Sequence, residues 1–518
     1  MTKTAPPVSL EQARTDASQL FAQSLGLPEV DTLLDLVGTE EFLKFRVGHR
    51  APVYDHALRV THEGLPESNP YRGLLGLHID PPERFPDSME ADVLRGLLVR
   101  STRPIAGQPT AYAFPGQYVP FQNNEEAQAI QPATHLIVGR RGVGKTTLIL
   151  KAKELLEKSR NLAVVLDMQP YNSPGDSVLI DVLTDIARGI SKGVISKYPK
   201  ASSAAKKLDQ FADDLFSGAT PPDRASAALR RAISSVTTAV DADLFLFLDD
   251  YHLVHADQQV RLVEAIHGAL KGARGWLKVA GLRSLLRVYD PSTKRGLQSP
   301  GDAQLISLDL TLVDPKAAED HLRSILLNFL GLVGFDKIGA AIAEKAFHRL
   351  VWANAGVPRD FLQMFSKSIE HARRATRHRV ELSDANLAIG EFGRQKMAEL
   401  EEDARNEQNV LKKALEAIEE HCLEGKKKVN AFLIRSELSP EYKAIQTLSD
   451  LRLLHLLHQT ITPHRAGERY EAYMLDYSLF TGFRQRRNIE EMLPEDGKQF
   501  KAKQLRKIPI LPTGFLAA

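Results

Sequence analysis

Gly139-Arg140-Arg141-Gly142-Val143-Gly144-Lys145-Thr146 fits the pattern G-x-x-x-x-G-K-[ST]. An apolar run, His135–Val138, precedes it and an amphipathic stretch, Lys145–Lys158, follows it. A strand, a glycine-rich turn and a helix start in this order turn backbone N–H groups inward around phosphates, with the helix dipole behind them. Lys145 is expected to reach the β- and γ-phosphates of ATP, and the Thr146 hydroxyl to ligate Mg²⁺. Gly139, Arg140, Arg141, Gly142, Val143, Gly144, Lys145, Thr146 and Thr147 are the expected nucleotide-binding residues.

A second motif supplies acid. Leu244-Phe245-Leu246-Phe247-Leu248 runs into Asp249-Asp250. An unbroken apolar run reads as a strand buried on both faces, and its C-terminal end meets the ligand crevice of an open α/β sheet. Asp249 is expected to hold the Mg²⁺, and Asp250 to act as base or to orient water. Arg283 follows the next apolar run, Trp276–Gly281, where a cation would lie between the two motifs. Arg359, after Ala355-Gly356-Val357-Pro358, opens a helix and could fold over a nucleotide. Each arginine would equally suit a solvated position.

The elements that must hold these groups alternate. Strands are expected at His135–Val138, Leu162–Met168, Leu244–Leu248, Leu277–Gly281 and Leu305–Leu310. Helices are expected between them at Lys145–Lys158, Ser177–Lys192 and Asp257–Lys271, and alternation of this kind implies a parallel sheet. A helical insertion covers about residues 195–240. The organisation expected is an N-terminal region of unknown role (1–120), with helical patterns at Val30–Leu43 and Met89–Leu98, then an α/β core (121–314). A helical lid (315–404), a winged-helix domain (405–482) and a basic, Pro-containing tail (483–518) complete it. Arg373, Arg374, Arg377 and Arg379 read as a solvated helix face.

Taken together, the Gly139–Thr146 loop, Asp249-Asp250, Arg283 and the Gly356–Arg359 joint resemble the STAND and origin-recognition initiator branch of AAA+ ATPases over about residues 121–482. The resemblance implies a P-loop parallel sheet, ATP hydrolysis with Mg²⁺, self-association through the nucleotide site, and a role in bacterial defence or DNA maintenance. Initiators usually carry Asp-Glu where this chain has Asp249-Asp250. Arg230, Arg231 and Arg261 are arginine-finger candidates by position. The alternative is a slowly hydrolysing nucleotide-gated scaffold whose winged helix binds protein.

That winged helix is expected as helices Val410–Leu423, Val429–Arg435 and Tyr442–Gln459, followed by a hairpin over 460–476. Lys443, Gln446, Ser449, Arg452, His455 and His458 would face DNA from the third helix. His464, Arg465 and Arg469 would do so from the wing, with Lys426, Lys427, Lys428 and the tail cations Arg484, Arg486, Arg487, Lys498, Lys501, Lys503, Arg506 and Lys507 adding phosphate contacts. A protein partner would suit the same module, whose third helix is rich in leucine.

Composition bounds these readings. Lys+Arg is 67 against Asp+Glu 65, so any affinity for nucleic acid must be local. A hydrophobic share of 43% fits a globular chain. The single cysteine, Cys422, excludes an intrachain disulfide and a cysteine zinc site. With no apolar run near membrane-spanning length and no apolar leader, a soluble cytoplasmic protein without membrane contact is expected.

Overall fold

The computed structural model describes residues 9–102, 118–173, 175, 177–403, 408–425, 427–437, 439–462, 468–481, 489–493 and 500–516. The chain opens with helix α1 (Leu10–Leu25), whose N-cap Ser9 hydroxyl accepts from the Gln12 amide. Strands β1 (Thr32–Val37) and β2 (Glu40–Val47) then pair antiparallel. The helix expected over Val30–Leu43 is therefore a hairpin. Gly38, at φ 67°, forms its two-residue turn with Thr39. Leu43, Phe45 and Val47 alternate inward along β2, and Phe45 stacks on Phe21 of α1 with ring centroids 3.9 Å apart. Helix α2 (Pro52–Gly64) leads to β3 (Leu75–Ile79), parallel to β2, and to α3 (Met89–Ser101), which contains the expected Met89–Leu98 helix.

After a short α4 (Glu125–Ala129) the central sheet begins. Its strands are β4 (His135–Val138), β5 (Leu162–Asp167), β6 (Leu244–Asp249), β7 (Gly275–Gly281) and β10 (Gln304–Ser307). They lie in the order β10-β4-β7-β6-β5 and every pairing is parallel. The small ladder β8 (Tyr289–Asp290) and β9 (Arg295–Gly296) precedes β10. Helices α5 (Lys145–Glu157), α6 (Ser177–Lys197), α7 (Ser202–Phe216), α8 (Pro222–Val240) and α9 (Ala256–Leu270) cover the sheet. The apolar run of β6 shows why both faces need helices. Leu244, Leu246 and Leu248 pack with α6, α8 and α9, whereas Phe245 and Phe247 pack with Leu148, Ile149 and Ala152 of α5. The fold is the expected mixed α/β sheet with helical regions around it.

Four helices follow: α10 (Pro315–Leu332), α11 (Glu344–Asn354), α12 (Pro358–Arg374) and α13 (Leu382–Asp403). Arg373 is not merely solvated. Its guanidinium donates to Pro86 O at 2.6 Å and to Asp92 of α3 at 2.7 Å, tying α12 to the N-terminal unit.

The C-terminal module runs α14 (Gln408–Glu419), β11 (Ala431–Arg435), α15 (Pro440–Asp450), β12 (Leu454–Ile461) and β13 (Tyr470–Leu475), with sheet order β11-β13-β12. Two expectations are corrected here. Val429–Arg435 is largely strand, and the helix expected over Tyr442–Gln459 ends at Asp450. Leu453–Leu457 is nearly continuous apolar sequence, which carries no period that separates strand from helix. The tail is not simply solvated either, since Leu433 N donates to Pro509 O and Leu511 N to Leu433 O, both at 2.8 Å. Lys426, His464, Arg465, Arg484, Arg486, Arg487 and Lys498 lie outside the described residues. Among the described residues no helix is long and apolar enough to cross a membrane.

Arg452 and His455, expected to face DNA, are fully buried. Arg452 pairs with Asp360 of α12. Lys396 of α13 pairs with Asp476 and lies 3.4 Å from Asp360, and His455 Nε2 donates to Asp476 at 2.8 Å. Two cations and two carboxylates thus neutralise one another where the lid meets the C-terminal module. Burial works to raise the Asp476 pKa, but Lys396 and His455 hold it well below the usual carboxylate range.

Lys396→Met leaves both carboxylates short of a partner. It should lower stability by about 3–5 kcal/mol, read from the urea midpoint of the full chain. Burial also pushes the pKa of His455 down to about 4, and burial with the nearby Lys278 ammonium does the same to His135. Both are neutral when folded, so between about pH 6.5 and the folded value only the unfolded chain binds their protons. Their contribution is present above that window and should be lost on acidification by about 1.4 kcal/mol per pH unit for each histidine. His455→Gln should flatten the slope of stability against pH in that window.

Candidate nucleotide-binding site

The loop between β4 and α5 turns through Gly142 (φ 81°) and Gly144 (φ 106°), backbone angles that a Cβ disfavours. Lys145 is the first residue of α5. Its ammonium folds back to donate to the carbonyls of Gly139 at 2.8 Å and Arg140 at 3.1 Å, and only 6% of the residue is exposed. Burial lowers its pKa, and Asp250, Asp249, Asp309 and Asp450 oppose that shift.

Thr146 and Asp249 meet although 103 residues separate them. The Thr146 hydroxyl donates to Asp249 Oδ2 at 2.6 Å. Asp249 ends β6, and Asp250, at φ 51°, turns away and donates its amide to Asp249 Oδ1 at 3.0 Å. Burial first, and then the Asp250 charge, push the Asp249 carboxyl up to about 7. A buried hard-oxygen pair with a second carboxylate beside it fits a divalent cation such as Mg²⁺. Thr146 and Asp249 would hold that ion.

Arg140 does a different job from the one expected of a phosphate contact. Its amide and Nε donate to Asp309 Oδ1 at 2.9 and 3.2 Å. The same guanidinium donates to Leu310 O at 2.7 Å and Ala355 O at 2.8 Å, and the residue is 3% exposed. The side chain bolts the loop to the end of β10 and to the joint between α11 and α12, and the Arg140 amide is bound to Asp309 as well. Val143 is also turned inward, packed with Phe121 and Ile137, while Thr147 is half-buried one residue beyond Thr146.

The lid reaches the loop through α12. The Arg359 amide donates to Gly142 O at 3.2 Å, and a Cβ placed on Gly142 would stand 2.9 Å from Arg359 Cβ. Arg359 therefore lies at the loop. Arg283 is exposed just beyond β7, close enough to Tyr442 of α15 to act on its phenol. Arg230 and Arg231 are exposed on α8, and Arg261 on α9.

Two acids at the site escaped sequence reasoning. Asp309 had a signal, since it follows the apolar stretch of β10 much as Asp249 follows β6. Asp450 had none, because it fell inside the helix expected over Tyr442–Gln459, whereas it ends the helix observed. Its backbone carbonyl accepts from the Arg141 amide at 3.2 Å, and its carboxylate accepts from the Ser284 amide at 2.8 Å.

No family model and no curated protein matches this chain. Among solved structures it is similar to Cdc6p from Pyrobaculum aerophilum, at 13% identity and TM-score 0.34, over 70% of this chain and 93% of that one. It is similar to the Aeropyrum pernix ORC1 protein in complex with DNA, at 14% identity and TM-score 0.38, over 74% and 93% of the two chains. It is also similar to the Thermotoga maritima RuvB Holliday junction branch migration motor, at 16% identity and TM-score 0.30, over 55% and 76%. These neighbours include proteins of the origin-recognition type that the motifs resemble. The likeness is too distant to assign a role to any residue.

Gly142→Ala should strain the loop and push Arg359 away. The expected outcome is faster hydrogen exchange at the Arg359 amide, with the exchange of the β6 amides unchanged.

Proposed function

We propose that this protein is an ATP-binding, Mg²⁺-dependent ATPase that works as a nucleotide-gated switch. The observation that carries the reading is the convergence of Lys145, Thr146 and Asp249 at the mouth of a glycine turn, with Thr146 Oγ1 2.6 Å from Asp249. The α5 N-terminus and the loop amides would take the phosphates, and Lys145 would exchange its two carbonyl partners for phosphate oxygens. Bound Mg²⁺ would supply charge neutralisation on the phosphates. Asp250, next to Asp249 and partly exposed, would orient the attacking water. Arg359, at the Gly142 end of the loop, is the cation to sense nucleotide from the lid, and Arg283 the one to relay it toward α15.

The switch reading, rather than rapid turnover, is favoured by the docking of the C-terminal module on the loop through Asp450. The module's helix–strand–helix–strand–strand order and its place after the lid support a winged-helix output domain. Its contacts with DNA or a protein partner would change with the nucleotide. For DNA the exposed groups among the described residues are Lys427 and Lys428, Lys443 and Gln446 on α15, Arg469 just before β13, and Lys501, Lys503, Arg506 and Lys507 in the tail, since Arg452 and His455 are buried. Self-association through the nucleotide site is part of the same proposal.

Calorimetric titration with MgADP and MgATP tests the site. Wild type should bind both, and Lys145→Ala should lose at least about 2 kcal/mol of binding, the scale of a charge-assisted phosphate contact. Asp249→Asn should remove the Mg²⁺ dependence. Undiminished binding by Lys145→Ala would overturn the assignment.

A further inference from the structure

The N-terminal unit carries an edge strand whose composition is at odds with its exposure. We propose that β1 is a docking edge for β1 of a second copy of this chain, the two strands running antiparallel about a two-fold axis at Leu34. This surface lies apart from the nucleotide site and does not depend on nucleotide binding.

Strand β1 is Thr32-Leu33-Leu34-Asp35-Leu36-Val37, apolar on both of its faces. A strand of that kind belongs inside a sheet that is covered on both sides. Yet β1 is the edge of the sheet β1-β2-β3, with Leu34 42%, Leu36 70% and Val37 52% exposed. Edge strands are ordinarily guarded by Lys, Pro or a bulge, and β1 has none of these. The Arg46 amide donates to Asp31 O, so Asp31, Leu33 and Asp35 turn their peptide groups to β2, whereas Thr32, Leu34 and Leu36 turn theirs outward. The Arg14 guanidinium of α1 takes the outward Thr32 O at 2.9 Å. The peptide groups of Leu34 and Leu36 face the open edge, where another strand can pair with them.

Helix α1 extends the patch. Leu34 lies opposite the buried Leu43, on the sheet face that α1 covers through the Phe21–Phe45 stack. Ser18 donates to Val30 O and Arg14 to Thr32 O, so one turn back along α1 matches two residues forward along β1. Each step advances about 5–7 Å. The next turn puts Leu10 level with Leu34, and Leu10 is 62% exposed. Leu10, Leu34 and Leu36 form one apolar strip along the edge.

Charge selects the occupant. Arg14 is fixed at the Thr32 end, and the exposed Glu41 and Glu40 lie opposite Leu36 and Val37 at the other end. An edge that is positive at one end and negative at the other complements itself only when antiparallel. With the axis at Leu34, Thr32 pairs with Leu36 of the second copy, which brings Arg14 to the Glu40–Glu41 end and allows about six ladder hydrogen bonds. An axis at Asp35 would set two carboxylates directly opposite each other.

The single native cysteine, Cys422, is buried, so an introduced cysteine is the accessible thiol of the full chain. Leu34→Cys places two thiols on the axis, with Cα atoms about 5.5 Å apart and within disulfide reach. Val37→Cys is comparably exposed, but its two copies would stand about 20 Å apart. Under mild oxidation Leu34→Cys should form a disulfide-linked dimer at least about tenfold faster than Val37→Cys. Sedimentation velocity without nucleotide should show wild type and Lys145→Ala as dimers by about 100 μM, and Leu36→Lys as a monomer. Lys145→Ala separates this surface from self-association through the nucleotide site. Equal cross-linking at the two positions, a Leu36→Lys that dimerises like wild type, or a dimer lost in Lys145→Ala would overturn the proposal. So would a wild type that stays monomeric, which would give β1 to a strand of another protein instead.

Discussion

An arginine side chain fully removed from water must have an anion, because its guanidinium does not give up its proton near neutrality. Arg452 is in that position. Burial lowers its pKa to about 10, and Asp360 opposes the shift and keeps it charged at neutral pH. Much of the assembly follows from that pairing. Asp360 adjoins Arg359, whose amide holds Gly142 of the phosphate loop. Arg452 lies two residues beyond Asp450, whose carbonyl holds Arg141 of the same loop. The contacts therefore close a ring: loop to lid, lid to C-terminal module, and module back to loop. Moving any one of the three disturbs the other two.

Such a ring is not primarily a source of stability. Desolvating two cations and two carboxylates costs about as much as their attraction returns, and an apolar cluster of the same volume would often be more stable. What a charged cluster supplies is register. An apolar interface between α12, α13 and the C-terminal sheet would tolerate sliding, whereas Arg452, Lys396, Asp360 and Asp476 match in only one arrangement. The same logic holds at the loop, where Arg140 spends its guanidinium on Asp309, Leu310 and Ala355. The glycine loop is thus held from behind by the buried Arg140, and Asp249 and Asp250 act on the Lys145 ammonium that the loop folds around.

How much of this the residues announced depends on how local the signal is. The central strands, their helices and the Lys145–Thr146–Asp249 set were legible because each rests on a contiguous pattern: an unbroken apolar run, a glycine turn, an acid at a strand end. The hairpin at Val30–Leu43 was misread because its apolar spacing also suits a helix, and only Gly38 at the turn argues otherwise. Leu453–Leu457 was misread because a run of leucines has no period. Arg452 and His455 were read as exposed for the same reason: a helix continued past Asp450 would have turned them outward, whereas the turn at Arg452 (φ 66°) and the strand at His455 bury them. Asp450 is the extreme case. Nothing within ten residues of it hints at phosphate, and its position depends on a tertiary contact with a loop more than 300 residues earlier.

The ring also limits how the module can move. The Asp450 contacts are two hydrogen bonds, each contributing roughly 1 kcal/mol net when neutral and somewhat more where the carboxylate takes part. The Arg452–Asp360 pairing two residues away is buried, and breaking it outright would cost about 3–5 kcal/mol. Releasing the first pair of contacts costs far less than releasing both together. The less costly motion of the module is therefore a pivot of the α15 end about Arg452, with the α12 contact as hinge.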